Sequence, residues 1–287
     1  MVFKKREEIW KTIMLKRTIA GSVLVVLVVA FFLLRTISYR FFDLLVYLVG
    51  IISTIELLKS FKDGISKIQK ALVLVFTLTM YPIASLFRGY TVHYISAYIS
   101  FILVTSILTK KEDLNSIAKT VFATFYPTIP LLSLIYINAM GKVSLFILVF
   151  VISVNSITDI FAYFVGSIIK GRKLCPDISP NKTISGAVGG LIGGVTASLV
   201  TYFVFNAFGV NIFEGARFGI LIVFLICSGA FISLATQIGD LFESHLKRKL
   251  DIKDMGNLIP GHGGMLDRID GLTFSSLSTF ILYSFLM

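Results

Sequence analysis

Toward its carboxyl end the chain carries Gly239-Asp240, Glu243-Ser244, Lys247-Arg248, Lys253-Asp254, Gly256, Pro260, His262-Gly263-Gly264 and Asp267-Arg268-Ile269-Asp270. Ionisable groups crowd beside glycine here as they do nowhere else in the sequence. On a helix starting after Gly263-Gly264, Asp267 and Asp270 are three residues apart and share a face. Two carboxylates so placed suit a hard divalent cation such as Mg²⁺, which keeps several waters and also binds substrate phosphates. Lys247, Arg248, Lys253, His262 and Arg268 supply charge for phosphate, and the glycines leave backbone N–H groups accessible near a helix start. Acids alone would repel a nucleotide; with a cation and these bases the stretch attracts one. The plainer alternatives are a solvated basic loop and a pair of acids favoured by a helix dipole.

Two further places ask for an explanation. Asp159 stands in Asn155-Ser156-Ile157-Thr158-Asp159-Ile160-Phe161-Ala162-Tyr163, inside an otherwise apolar segment. An ionisable residue at membrane depth is costly and points to function, the alternative being a hydrogen-bonding acid that only fixes helix packing. Ser179-Pro180-Asn181-Lys182-Thr183 is a polar turn entering a glycine-rich segment, and a helix cap would read the same way. No P-loop, HExxH, GxSxG or CxxC pattern is present.

The elements that must position these residues are membrane helices. Of the 287 residues 56% are hydrophobic and 15% charged, with mean hydropathy +0.88, whereas a soluble domain carries about 25% charged residues. Apolar segments of near-spanning length fall at about 18–35, 41–58, 71–87, 91–108, 118–139, 143–169, 183–208, 216–238 and 271–287. The second is the weakest, since it holds Asp43 and Glu56 near its ends. The seventh contains Gly186, Gly189, Gly190, Gly193 and Gly194, at spacings that let helices approach closely. The fold expected is therefore all-α and polytopic, with about nine transmembrane helices.

Cation placement sets an orientation. The amino terminus and the even-numbered loops hold 22 of the 27 Lys and Arg, and the alternate compartments five. That imbalance puts the amino terminus and the even loops in the cytosol. The net charge of +11 then reflects topology, and no nucleic-acid partner is expected. Cys175 and Cys227 lie in unlike segments and read as separate reduced thiols. The basic start lacks a small-residue cleavage site, so the first helix is expected to be retained. No polar stretch is long enough for a separate domain, and residues 1–287 read as one helical membrane domain.

The motif residues resemble the phosphatidate cytidylyltransferases, also called CDP-diacylglycerol synthases. The family signature runs S-x-apolar-K-R, four residues, K-D, a short spacer, then H-G-G-apolar-x-D-R-apolar-D. Ser244, Lys247-Arg248, Lys253-Asp254, His262-Gly263-Gly264 and Asp267-Arg268-Ile269-Asp270 match it in type and spacing. Gly239-Asp240-Leu241 and the Ser179-to-Thr183 turn are also similar, and the likeness covers roughly the carboxyl-terminal half. One departure is visible: Ile160 and Phe161 follow Asp159, where the family usually has small residues before Ala-Tyr.

The resemblance implies transfer of CMP from CTP to phosphatidic acid with Mg²⁺ as cofactor, a second cation being compatible. It implies Asp240, Asp267, Asp270, Lys247 and Lys253 as catalytic, and Asp240, Asp267, Asp270 and Asp159 as metal ligands. Ser179, Lys182, Thr183, Ser244, Arg248, His262, Gly263, Gly264 and Arg268 would bind substrate. Residues 1–140 then serve as scaffold helices and 141–287 as the catalytic half, in a bacterial cytoplasmic (inner) membrane, with the site facing the cytosol. Membrane lipid is a partner and a homo-oligomer is compatible. An ion- or proton-coupled transporter and a sibling enzyme using another phosphorylated lipid alcohol are the alternatives.

Overall fold

A computed structural model describes residues 2–62, 64–109, 113–210, 212–213, 215, 217–259 and 263–285. Its α-helices are α1 (Val2–Arg35), α2 (Arg40–Ser60), α3 (Lys67–Leu86), α4 (Thr91–Thr109), α5 (Leu114–Phe125), α6 (Thr128–Asn138), α7 (Ser144–Ile169), α8 (Ile184–Ala207), α9 (Phe218–Lys249) and α10 (Leu266–Ser284). Among the described residues each of the nine apolar segments is helical over most of its length. Among the described residues six helical stretches are long and apolar enough to cross a membrane, with Gly21–Arg35 a shorter apolar helix. The chain is an integral membrane protein of the all-α class.

Three details depart from the hydropathy reading. The fifth segment is broken at Tyr126-Pro127 into α5 and α6, because proline has no N–H to continue the ladder. Helix α9 does not stop near residue 238 but runs on to Lys249. There Asp240 with Ser244 and Glu243 with Lys247 form four-residue-spaced pairs, and Lys247, Arg248 and Lys249 complement the carboxyl-terminal dipole. The Ser179-to-Thr183 segment is a strand rather than a bare turn: β2 (Ser179–Thr183) pairs antiparallel with β1 (Lys173–Cys175).

The chain forms two compact units. One comprises Met1–Ile129 together with Ile252–Arg268, the other Pro130–Asp251 with Ile269–Met287. Within the first, α2 packs on α3, where Gly50 leaves room for the buried ring of Tyr81. Thr77 bonds to Thr54 and Thr128 at 3.4 and 3.3 Å, and Ser85 donates to Asp43 at 2.5 Å. Ser66 and Gln69 form a reciprocal capping box that opens α3.

Within the second unit α8 lies between α7 and α9. Lipid tails are as apolar as leucine, so such helices associate through close backbone approach and interhelical hydrogen bonds. The expected glycine stripe supplies the approach: a Cβ on Gly189 would lie 2.5 Å from Cβ of Val165, and one on Gly193 2.7 Å from Cβ of Phe161. Phe161, the bulky departure after Asp159, is thus accommodated by the missing side chain of Gly193. Hydrogen bonds join all three helices, Thr158 Oγ1 donating to Ser233 Oγ and Ser233 Oγ to the Gly190 carbonyl, each at 2.9 Å.

Candidate active site

The second unit gathers one group of expected residues. Strand β2 ends at Thr183, whose side chain accepts the Gly186 N–H at 3.1 Å and caps α8. One residue earlier Lys182 projects toward α9, its Nζ 2.5 Å from Oδ2 of Asp240. One turn along α9, Ser244 Oγ reaches Asp240 Oδ1 at 3.5 Å. Glu243, fully buried, holds Lys247 at 3.2 Å. Arg248 at the exposed end of α9 donates to the Ile178 carbonyl at 3.3 Å and so ties the helix to the hairpin turn. Ser179 is half-buried in β2, paired with Cys175.

Asp270, in the first turns of α10 and ahead of the apolar segment that begins at 271, is drawn into this group. Its carboxyl is pushed up to about 6, first by burial and then by the charge of Asp240, against the opposing effects of the Gly271 N–H, Lys247 and Lys182. Gly239 lets the two helices meet here, since a Cβ on it would stand 2.6 Å from the Asp270 carbonyl oxygen. Two carboxylates in mutual repulsion, with lysines beside them, fit a hard divalent cation and the phosphates it would carry.

A cavity of about 430 Å³ opens beside this group, lined by Asp159, Tyr163, Asn181, Lys182, Gln237 and Asp240 among others. Asp159 is exposed and Tyr163 is 72% exposed, on a stretch of α7 flanked by exposed Ile160 and Phe164. The cavity therefore reaches the exposed surface of α7. Asn181, Tyr163 and Gln237 escaped the sequence reading; Gln237, at i−3 from Asp240 on α9, was open to helical spacing once α9 is known to continue.

The first unit holds the remainder. Asp267 is buried, and its Oδ2 accepts the Met255 N–H at 2.9 Å and the Gly264 N–H at 2.8 Å, fixing the carboxylate against the loop that precedes α10. Gly263 adopts φ +85°, a left-handed conformation that glycine meets without strain. Gly264 leaves no room for a side chain, because a Cβ would lie 2.5 Å from Oε2 of Glu56. Lys253 and Arg268 are exposed, and His262 lies outside the described residues. Glu56 was missed as a site residue, although an acid in an apolar segment was a visible signal. Among the described residues no group of three or more His, Cys, Asp or Glu side chains is arranged to hold a metal; Asp240 and Asp270 are the carboxylates that influence one another within one unit.

Apolar helices of spanning length carrying a lysine–carboxylate cluster beside a cavity mark a membrane protein with a polar site suited to phosphate groups. The chain belongs to the cytidylyltransferase family, whose model matches residues 15–286, and it is a nucleotidyltransferase. It is 30% identical over 267 residues to phosphatidate cytidylyltransferase of Bacillus subtilis (strain 168), covering 91% of this chain and 94% of that one. The Helicobacter pylori (strain J99) protein of that name is 32% identical over 243 residues, 84% of this chain and 80% of the other. That of Brucella melitensis biotype 1 is 40% identical over 161 residues, 56% of this chain and 54% of the other.

Proposed function

We propose that this protein transfers CMP from CTP to phosphatidic acid, giving CDP-diacylglycerol and pyrophosphate at the cytosolic face of a bacterial inner membrane. The observation that carries the reading is the Lys182–Asp240 pair beside Asp270, at a cavity that reaches the exposed side of α7. Phosphatidic acid keeps its acyl chains in hydrocarbon and offers its phosphate at the interface, where such a cavity receives it. A phosphate oxygen attacks the α-phosphorus of CTP; the new P–O bond forms as the bond to the β-phosphate bridge breaks, and pyrophosphate leaves with that electron pair. The nucleophile is already ionised, so positioning and charge neutralisation dominate.

Asp240 and Asp270 are the residues that would hold Mg²⁺, and Asp159 suits a second cation; Asp267 is a candidate metal ligand on the family signature alone. Bound there, Mg²⁺ supplies neutralisation of triphosphate charge. Lys182 and Lys247 flank the carboxylates and hold phosphate oxygens, while Ser244 orients Asp240. Lys253, Arg268, Arg248 and His262 add cationic capacity for the two substrates. The 22-to-5 partition of Lys and Arg supports a cytosolic site, where CTP is available.

The test is pyrophosphate release by purified protein given CTP and Mg²⁺, with and without phosphatidic acid. Lipid-dependent release, with CDP-diacylglycerol formed in equal amount, is the expected result. Release independent of lipid, or none from folded protein, would overturn the reading.

A further inference from the structure

We infer that Glu56, in the amino-terminal part of the chain, is a positioning residue for the reaction, acting through the loop that carries Asp267; the inference rests on the cytidylyl-transfer reading above. Helix α2 is apolar over most of its length, and Glu56 is only 7% exposed. A buried acid is costly unless its charge is used. Here both oxygens are used: Oε1 accepts the Met265 N–H at 3.0 Å and Oε2 the Leu266 N–H at 2.9 Å. A helix leaves its first N–H groups without intrahelical acceptors, and an anion opposite them is favoured by the dipole. The residue ahead of α10 is Met265, whose side chain cannot serve as a cap. Glu56 supplies the missing cap from 209 residues away.

The loop is shaped around that carboxylate. A side chain on Gly256 or on Gly264 would collide with it, so these glycines are accounted for by Glu56. Asp267 grips the same strip of backbone from its other side, through the N–H groups of Met255 and Gly264. Releasing Glu56 therefore loosens the segment that sets where Asp267 leaves the helix. A misplacement of about 1 Å at such a group costs about 100-fold in rate.

Glu56→Gln, Glu56→Ala, Gly264→Ala and the Glu56→Ala/Gly264→Ala double variant test this, read by amide hydrogen exchange without nucleotide and by steady-state kinetics with CTP, phosphatidic acid and Mg²⁺. In Glu56→Gln, exchange across 263–268 should quicken by about tenfold while α7 to α9 stay protected. Its kcat should fall between about 10- and 100-fold, with KM for phosphatidic acid held within about twofold. The Gly264 methyl and the Glu56 carboxylate contend for one space, so Gly264→Ala should lower kcat by itself yet add little to Glu56→Ala. Should Glu56→Ala fail to fold, the isosteric Glu56→Gln carries the comparison. Wild-type kcat in Glu56→Gln overturns the inference. So does exchange loosened evenly over the whole first unit, or full additivity in the double variant. A wild-type protein without lipid-dependent turnover would instead overturn the cytidylyl-transfer reading, and the exchange result would still decide whether Glu56 holds the loop.

Discussion

The Lys182 ammonium stands 2.5 Å from Oδ2 of Asp240, joining the last residues of β2 to the carboxyl-terminal part of α9. Both side chains are about a quarter to a third exposed, at 26% and 32%. An ion pair so exposed contributes little to stability, about 0–1 kcal/mol, and in the proposed reaction it presents charge to a substrate.

Lys182→Met should therefore leave the melting temperature nearly unchanged and lower kcat/KM for CTP by about 100-fold, the scale of losing one charged contact to a transferring phosphoryl group. Exchanging the partners, Lys182→Asp with Asp240→Lys, should restore the ion pair but no activity. Thermal melts and initial rates of pyrophosphate release on the same samples check both statements.

Asp267→Asn separates the side chain's grip on the loop from its proposed role as a Mg²⁺ ligand. An amide oxygen still accepts the Met255 and Gly264 N–H groups, so the loop should lose only about 1 kcal/mol. Charge is what a Mg²⁺ ligand provides, and turnover should fall below detection. Asp267→Ala loses both duties and should add a loosening of the 252–268 segment, visible as faster amide exchange.

The buried Glu243–Lys247 pair predicts an asymmetry. Removing one partner leaves the other charge in low dielectric at a cost of about 3–5 kcal/mol, whereas removing both together is close to neutral. Lys247→Met should thus unfold at a distinctly lower temperature than Lys247→Met/Glu243→Gln. Both should be inactive, which makes the thermal melt the deciding measurement.

Gly193 and Phe161 predict a compensation. A methyl at Gly193 overpacks the α7–α8 contact and should cost about 1–3 kcal/mol. Trimming Phe161 to Ala in the same chain should recover much of it. Equal destabilisation with and without the trim would refute the explanation given for the bulky residue after Asp159.

Periodicity and composition reveal much of this architecture because lipid imposes a single rule on the chain: backbone polar groups must be satisfied internally, so apolar runs become helices. The glycines of α8 and the acids near 240 and 270 are legible for that reason. Hydropathy lost α9 at residue 238, beyond which four-residue polar pairs replace apolar residues as its support. The β1–β2 hairpin carries Pro180 and Lys182 with no apolar alternation to announce it. That Gly264, expected beside substrate, has a carboxylate from α2 as its neighbour could not be read from sequence. A contact spanning 209 residues leaves no local trace in one sequence beyond an acid standing where an apolar residue is ordinary.

Residues 252–268 belong with the amino-terminal helices, although the chain reaches them only after building most of the other unit. Homologous recombination between relatives should respect that bookkeeping of partners rather than linear order. A chimera that exchanges 1–129 alone breaks the match between Glu56 and the glycines shaped around it; one that also carries 252–268 keeps it. The amino-terminal helices and the signature loop are therefore one structural module written in two instalments.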